Sequence, residues 1–281
     1  MNEKTYWFDA HVARRVLDAL ARGAATVDIS VDLNRTVATF ALAEDSLLLD
    51  ADQRLTGEEL RRIARKEQRI FVLEKGELAV LEARDGGYCK LVPTDRAPLL
   101  EISGVKMHIA KGINPFDSAG KMAAQVVKPG ARVLDTCSGL GYAASAALRL
   151  GAQQVVSVEL SAAVIELRRR NPWSQEIYHP SLTLVQADIG DYIGGLATES
   201  FDAIIHDPPR FSLAGELYGE HFYRELYRVL KRRGALFHYT GNPYKVKRGD
   251  SFMEQAGKRL GAAGFGKVVK VAELMGLRAV K

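Results

Sequence analysis

Through the N-terminal third, apolar and polar positions alternate in short runs: TVDISVDL, TVATFAL, SLLLD, RIFVLEKGELAVLEA and YCKLVP. A period of two over a few residues, bounded by turn formers, predicts half-buried strands. One helix is predicted among them, TGEELRRIARKEQR, with Thr56 as N-cap and a basic outer face. From about Ile113 the period changes. Strand-length apolar bursts (RVLD, QVVSVEL, LTLVQAD, FDAIIHD, GALFHYT) now alternate with stretches of helical period, YAASAALRLG, SAAVIELRRR and GELYGEHFYRELYRVLKRRG. A last helix, FMEQAGKRLGAAG, precedes a closing pair of strands in KVVKVAELMGLRAVK. Repeated strand–helix units predict an α/β fold, a doubly wound, mostly parallel seven-stranded sheet over residues 111–281. A small mixed β-rich domain is expected ahead of it, over residues 1–110.

Composition narrows the class. Hydrophobic residues make up 47% of the 281, enough for a substantial core. No apolar run approaches the ~18 residues of a membrane span, and MNEKTYWFDAHVARR lacks the apolar centre of a signal peptide. Tyr6, Trp7 and Phe8 read as a core patch. Cys89 and Cys137 stand far apart, without CxxC spacing or neighbouring histidines. No disulfide framework and no metal site is expected, and a reducing cytoplasm is the expected compartment. The net charge of +5 is unevenly spread. From Arg228 to Lys281 there are thirteen Lys or Arg against three Asp or Glu, an excess of ten, so the remainder is net −5. A basic C-terminal region favours an acidic partner, nucleic acid first; a merely solvated basic end is the bland alternative.

Ligands of doubly wound sheets bind beyond the carboxyl ends of the strands, so strand-end residues are the candidates. The first strand ends in VLDTCSGLGYAA, where Asp135 is followed by Gly139 and Gly141 and then a helix. Alone, that pattern fits a tight structural turn equally well. The second strand ends in Glu159, eighteen residues beyond Gly141, where an acid can accept both hydroxyl hydrogens of a ribose. The third runs into Asp188, where a carboxylate can meet an adenine amino group. Three acids at successive strand ends, beside a glycine turn, point to a nucleoside site. The fourth strand ends in IIHDPPRF, Ile204–Phe211. Proline cannot donate a ladder hydrogen bond, so the strand must stop there, and a lone Asp-Pro-Pro reads first as a rigid turn.

In this order the motifs resemble those of class I S-adenosylmethionine-dependent methyltransferases, over roughly Ile113 to Lys281. The resemblance implies a Rossmann-like methyltransferase fold with S-adenosyl-L-methionine as cofactor. It implies that Asp135, Cys137, Ser138, Gly139, Gly141 and Tyr142 hold the methionine part, Glu159 with Leu160 the ribose, and Asp188 with Ile189 the adenine. KGINPFDSAGKMAA resembles the segment that precedes the first strand and closes over the cofactor. One departure is Cys137, which stands where the usual GxGxG has its first glycine. In amino-methylating relatives the catalytic strand ends in an acidic or amide residue, two prolines and an aromatic. The acidic or amide side chain and the adjacent proline carbonyl accept hydrogen bonds from the target amine. Asp207, Pro208 and Pro209 match; Arg210 takes the fourth place, with Phe211 behind it.

A carbon-5 cytosine reaction needs a cysteine nucleophile after the next strand, and GALFHYTGNPYK has none. That reaction is disfavoured, and the resemblance, taken with the basic C-terminal region, implies a guanine or adenine nitrogen in structured RNA as target, with tRNA favoured. Lys245, Lys247 and Arg248 of the basic region are expected at the rim of the strand ends. His206 and His238 read as core histidines, while Tyr239 and Tyr244 suit either a stacked base or a packed loop. Within enzymes the rival is a spermidine-synthase-type aminopropyltransferase, whose central region VVSVELSAAVIELRRRNPWS resembles; a small-molecule methyltransferase and a non-catalytic RNA-binding module are further alternatives. As a whole the chain is similar to a group of archaeal predicted methyltransferases with an N-terminal extension. Oligomeric state is not assigned.

Overall fold

The computed structural model of the 281-residue chain describes residues 4–50, 53–108, 112–241 and 252–281. The chain divides into two compact units, one of Met1–Pro115 with Arg170–Trp173, the other of Phe116–Arg169 with Ser174–Lys281.

Among its described residues the first unit holds three small antiparallel sheets and two helices. Helix Gly57–Ala64 starts at Thr56, whose hydroxyl accepts from the Glu59 N–H while the Glu59 carboxylate accepts from the Thr56 N–H. That reciprocal cap contributes about 1 kcal/mol. The second helix, Ala10–Ala21, is an addition to the sequence reading. Its signals are the Asp9 carboxylate, which accepts from the Val12 N–H, and an inward stripe of Val12, Ala13, Val16 and Ala19. Both helices pack on a core containing Phe8, Leu47, Leu55, Leu60 and Ile63, and Tyr6 is buried in the same cluster. The Trp7 indole donates to the Arg170 carbonyl at 2.9 Å and the Trp173 indole to that of Leu33 at 2.7 Å.

The second unit is built on one seven-stranded sheet: β1 (Arg132–Asp135), β2 (Gln154–Glu159), β3 (Leu182–Gln186), β4 (Phe201–His206), β5 (Leu230–Tyr239), β6 (Lys267–Val271) and β7 (Gly276–Val280). Its spatial order is 3-2-1-4-5-7-6. The first five strands pair in parallel, and β7 runs antiparallel between β5 and β6. Val133, Leu134, Val155, Val158, Ile204, Ile205 and Phe237 are all fully buried. Such near-continuous apolar runs are what a parallel sheet covered on both faces requires, each large side chain contributing roughly 1.5–3 kcal/mol. The covering helices include α1 (Pro115–Ala124), α2 (Tyr142–Arg149), α3 (Ala162–Arg169), the short α4 (Ile189–Tyr192), α5 (Glu220–Val229) and α6 (Phe252–Ala262).

Two details differ from the sequence reading. The long amphipathic stretch before β5 is split into a 3-10 turn, Gly215–Tyr218, and helix α5, because Gly219 adopts an extended backbone between them. Strand β5 also starts earlier than GALFHYT, at Leu230, with a bulge between the Phe201 and Ala203 pairings.

Candidate active site

The order 3-2-1-4 sets four carboxylates along one edge of the sheet: Asp188 just past β3, Glu159 ending β2, Asp135 ending β1 and Asp207 just past β4. Strand order reverses between β1 and β4, the switch point where such sheets open a crevice. The turn after β1 lies there. Gly139 has φ +52° and Gly141 φ +79°, and Gly141 caps helix α2 from the left-handed region. The two glycines answer different needs. A Cβ on Gly141 would stand 2.7 Å from Ile177 Cγ2, a packing constraint, whereas a Cβ on Gly139 would meet open space. Glu159 fastens the turn: one carboxylate oxygen accepts from the Gly139 N–H at 2.7 Å, the other from the Ser161 N–H at 2.9 Å.

Asp135 is fully buried. Oδ2 accepts from Ser157 Oγ at 3.1 Å, while Oδ1 has no partner. Burial is the main cause that raises its pKa from 3.8 to about 7, against the pull of Ser157 and of the Arg168 guanidinium. Asp207, half-buried, is likewise pushed up to about 7, first by burial and then by the charge of Asp135. The Cys137 thiol is raised by burial and the surrounding carboxylates, so it stays protonated and is not a nucleophile.

The remaining expected positions fall as follows. Ser138 is buried and bonded to Ser157 and Arg168. Tyr142 is buried with its ring edge-on to Phe116, 5.4 Å between centroids. Leu160 is exposed, an apolar surface directly after Glu159. Asp188 is exposed and caps α4 through the Gly190 N–H, while the Ile189 side chain packs in the core, leaving its backbone as its offering. Pro208 is buried, Pro209 partly so, and Arg210 is exposed. Phe211, half-exposed, sits edge-on to Tyr218 and Phe252.

Sequence reasoning missed Tyr218. Its hydroxyl donates to the Pro209 carbonyl at 2.8 Å, with the Pro208 carbonyl at 3.4 Å. One hydroxyl hydrogen serves the nearer oxygen, so Pro208 keeps a carbonyl able to accept. Burial and the nearby Asp207 raise the Tyr218 pKa, so the phenol remains a donor. His206 and His238 are fully buried with both ring nitrogens bonded. His206 Nε2 donates to the Leu217 carbonyl at 3.0 Å and Nδ1 pairs with the Thr136 hydroxyl at 2.7 Å; Tyr223 pairs with His238 Nε2 at 2.7 Å. Burial lowers both histidines' pKa, that of His206 to about 4, so the pair is neutral. Tyr239 is partly buried, with its pKa raised to about 12 by burial and then Asp207. Tyr244, Lys245, Lys247 and Arg248 lie outside the described residues.

Several cations of the basic C-terminal region are spent on the fold. Arg228 donates to the Ile193 and Leu196 carbonyls, Lys231 pairs with Asp202, Lys270 with Glu254, Arg278 donates to the Gln125 carbonyl and Lys281 to those of Tyr227 and Leu230. A cleft of about 880 Å³ lined by Glu199, Tyr227, Arg232, Arg233 and Lys281 is bordered by the chain entering β4 and β5, at the end of the sheet away from the four acids.

The residues present fit an adenosylated, positively charged ligand. The unpartnered Asp135 Oδ1 supplies a buried acceptor, the space over Gly139 admits close approach, and Leu160 offers an apolar surface beside Glu159. Comparison with known proteins agrees. Residues 133–234 match the family model described as a methyltransferase domain. The chain is 38% identical over 284 aligned residues to "Uncharacterized protein MJ1233" of Methanocaldococcus jannaschii, covering 98% of this chain and 95% of that protein. It is 37% identical over 129 residues to a polyamine aminopropyltransferase of Mycobacterium tuberculosis, spanning 43% of this chain and 25% of the relative. It is also 33% identical over 93 residues to the ribosomal RNA large subunit methyltransferase I of Serratia proteamaculans, spanning 32% and 24%. A crystal structure of spermidine synthase with the transition-state analogue AdoDATO superposes with a TM-score of 0.59 at 19% identity, over 71% of this chain and 72% of that one.

Proposed function

The chain belongs to one family with the Methanocaldococcus jannaschii protein, its second unit is a class I S-adenosylmethionine-dependent methyltransferase domain, and on that premise we propose that it methylates a guanine or adenine nitrogen in structured RNA, with tRNA favoured. The observation that carries the reading is the end of β4, where a half-buried carboxyl, Asp207, precedes a rigid Pro-Pro whose first carbonyl is left able to accept. Two acceptors so placed orient an amine's lone pair. S-adenosylmethionine, when bound, supplies an electrophilic methyl group. Asp207 can then accept a hydrogen bond from the nitrogen and take its proton, a task suited to a carboxyl whose pKa lies near 7. Tyr218 holds the Pro209 carbonyl, and with it the angle of the turn. Phe211 offers a half-exposed ring for a flat substrate, and Arg210 an exposed guanidinium for a phosphate or base. The local similarity to a ribosomal RNA methyltransferase supports an RNA target.

A second reading, aminopropyl transfer to a polyamine, is favoured by the local similarity to a polyamine aminopropyltransferase. The same experiment separates the two. The protein is incubated with methyl-labelled S-adenosylmethionine and bulk tRNA, ribosomal RNA, protein or polyamines. In parallel it is given a diamine and decarboxylated S-adenosylmethionine labelled in its aminopropyl group, because aminopropyl transfer leaves a methyl label on the thioether product. Label that is nuclease-sensitive and co-elutes with a methylated purine nucleoside is expected. Transfer to polyamine or small molecules alone overturns the RNA reading. Neutralising Lys245, Lys247 and Arg248 should further weaken tRNA binding about equally across sequences and flatten its salt dependence.

A further inference from the structure

Beneath the glycine turn lies a buried cation. Arg168, the last residue but one of α3, is 2% exposed and the bulkiest fully buried side chain among the described residues. Its Nη1 donates to Ser138 Oγ at 3.0 Å, its Cδ lies 3.6 Å from where a Cβ on Gly141 would stand, and its Nε has no partner. A guanidinium so buried is tolerable only with counter-charge at hand. The carboxylates of Glu159 and Asp135 supply it, and the Tyr178 side chain adds a hydrogen bond.

Hydrogen counting shows what this arrangement does to Asp135. Ser157 Oγ lies 3.1 Å from Asp135 Oδ2 and 2.6 Å from Ser138 Oγ, yet a hydroxyl has one hydrogen. With Arg168 donating into Ser138 Oγ, Ser138 is free to direct its own hydrogen at Ser157. That leaves the Ser157 hydrogen for Asp135 Oδ2. The bonds then run one way, from cation to carboxylate, and each polarises the next. Without the guanidinium, the shorter serine–serine contact retains the Ser157 hydrogen. Asp135, whose Oδ1 has no donor already, would then keep only the weaker pull of the Ser138 side chain, itself no longer polarised by the cation, and would take up a proton more readily.

We propose that Arg168 is a positioning residue for the cofactor: acting through Ser138 and Ser157, it holds Asp135 as a carboxylate beneath the glycine turn, so that the site prefers the positively charged methyl donor over its thioether product. The proposal rests on S-adenosylmethionine being the ligand of that turn, not on the identity of the methyl acceptor. The groups facing Asp135 are Ser157 and Glu159 of β2, Ser138 and Cys137 of the turn, Arg168 of α3 and Asp207 past β4.

The test is calorimetric titration of S-adenosylmethionine and S-adenosylhomocysteine from pH 5.5 to 9 into wild type, Arg168→Met, Arg168→Lys and Ser157→Ala. Wild-type affinity for the donor should climb with pH to a plateau, and the donor-to-product ratio with it. Arg168→Met should reach its plateau about one pH unit later and bind the donor about tenfold more weakly at pH 7. Arg168→Lys should recover part of the difference, and Ser157→Ala should show the same displacement although the cation remains. Equal loss for both ligands at every pH, with an unmoved midpoint, would reduce Arg168 to a structural role and overturn the proposal. Should Arg168→Met fail to fold, Ser157→Ala decides, and an unmoved midpoint there overturns it equally. Wild type that binds neither ligand at any pH would instead sink the cofactor assignment.

Discussion

Replacing Asp135 by Asn should make the ligand-free protein more stable and the site useless. The carboxyl has no exposed surface, one unpartnered oxygen, and a pKa raised from 3.8 to about 7 by burial. Between those two values the folded chain holds a proton that the unfolded chain has released, so stability falls as pH rises from about 4 to about 7 and levels off above. The displacement corresponds to about 4 kcal/mol at pH 8, of the order of half the stability of an ordinary domain. Asparagine keeps the shape and a hydrogen-bonding partner for Ser157 but cannot ionise, so its stability curve should lack this slope. Asp207, also raised to about 7, leaves a residual slope of the same sign. Urea unfolding of both proteins at pH 5, 6, 7 and 8 measures the difference. Tryptophan fluorescence is the wrong probe, because the chain's 2 tryptophans, Trp7 and Trp173, both lie in the first unit. Far-UV circular dichroism or hydrogen exchange across β1 and β4 reports the second. The variant should gain about 4 kcal/mol at pH 8 and under half of that, about 1.6 kcal/mol, at pH 5, while affinity for S-adenosylmethionine drops by about 10²-fold. Parallel stability curves, or a variant less stable than wild type at pH 8, would show that the carboxyl is not strained by burial and refute the reasoning.

The two glycines of the turn should separate folding from binding. Gly141→Ala meets both a φ of +79° and Ile177 at 2.7 Å and should destabilise by about 2–3 kcal/mol; Gly139→Ala meets only φ +52° and open space, so it should cost about 1 kcal/mol in folding yet weaken cofactor binding at least tenfold. Equal effects of the two on unfolding midpoints would contradict this. Tyr218→Phe removes the bond to the Pro209 carbonyl and should lower methyl transfer by about tenfold, through a loosened turn, with cofactor affinity unchanged; a variant with wild-type turnover would remove Tyr218 from the site.

How much of this could be read from the sequence depends on whether a signal is local. Glu159 and Asp188 follow apolar bursts of strand length, and a right-handed doubly wound chain sets successive strand ends side by side, so the period alone brought the acids together. The cap at Thr56 is equally local. Arg168 sits in a run of three arginines that looks like a solvated helix end, yet Ala163, Val164 and Leu167 are buried and Arg168, four residues after Val164, continues their stripe. Its phase was legible; what it meets was not, because Ser138 belongs to a turn thirty residues earlier. Tyr218 was hidden for a different reason, since it reaches Pro209 from the 3-10 turn Gly215–Tyr218, which a helical period through this stretch does not reveal. A charge count sums signs without placement: Arg228, Lys231, Lys270, Arg278 and Lys281 all satisfy groups of the same unit. Long-range polar contacts are set by tertiary packing, and the residues they involve carry ordinary helix or strand propensities. The same holds for the strain at Asp135. Of the four carboxylates along this edge of the sheet, Asp135 and Asp207 oppose folding when charged, and that opposition is what leaves the crevice ready for a cationic ligand.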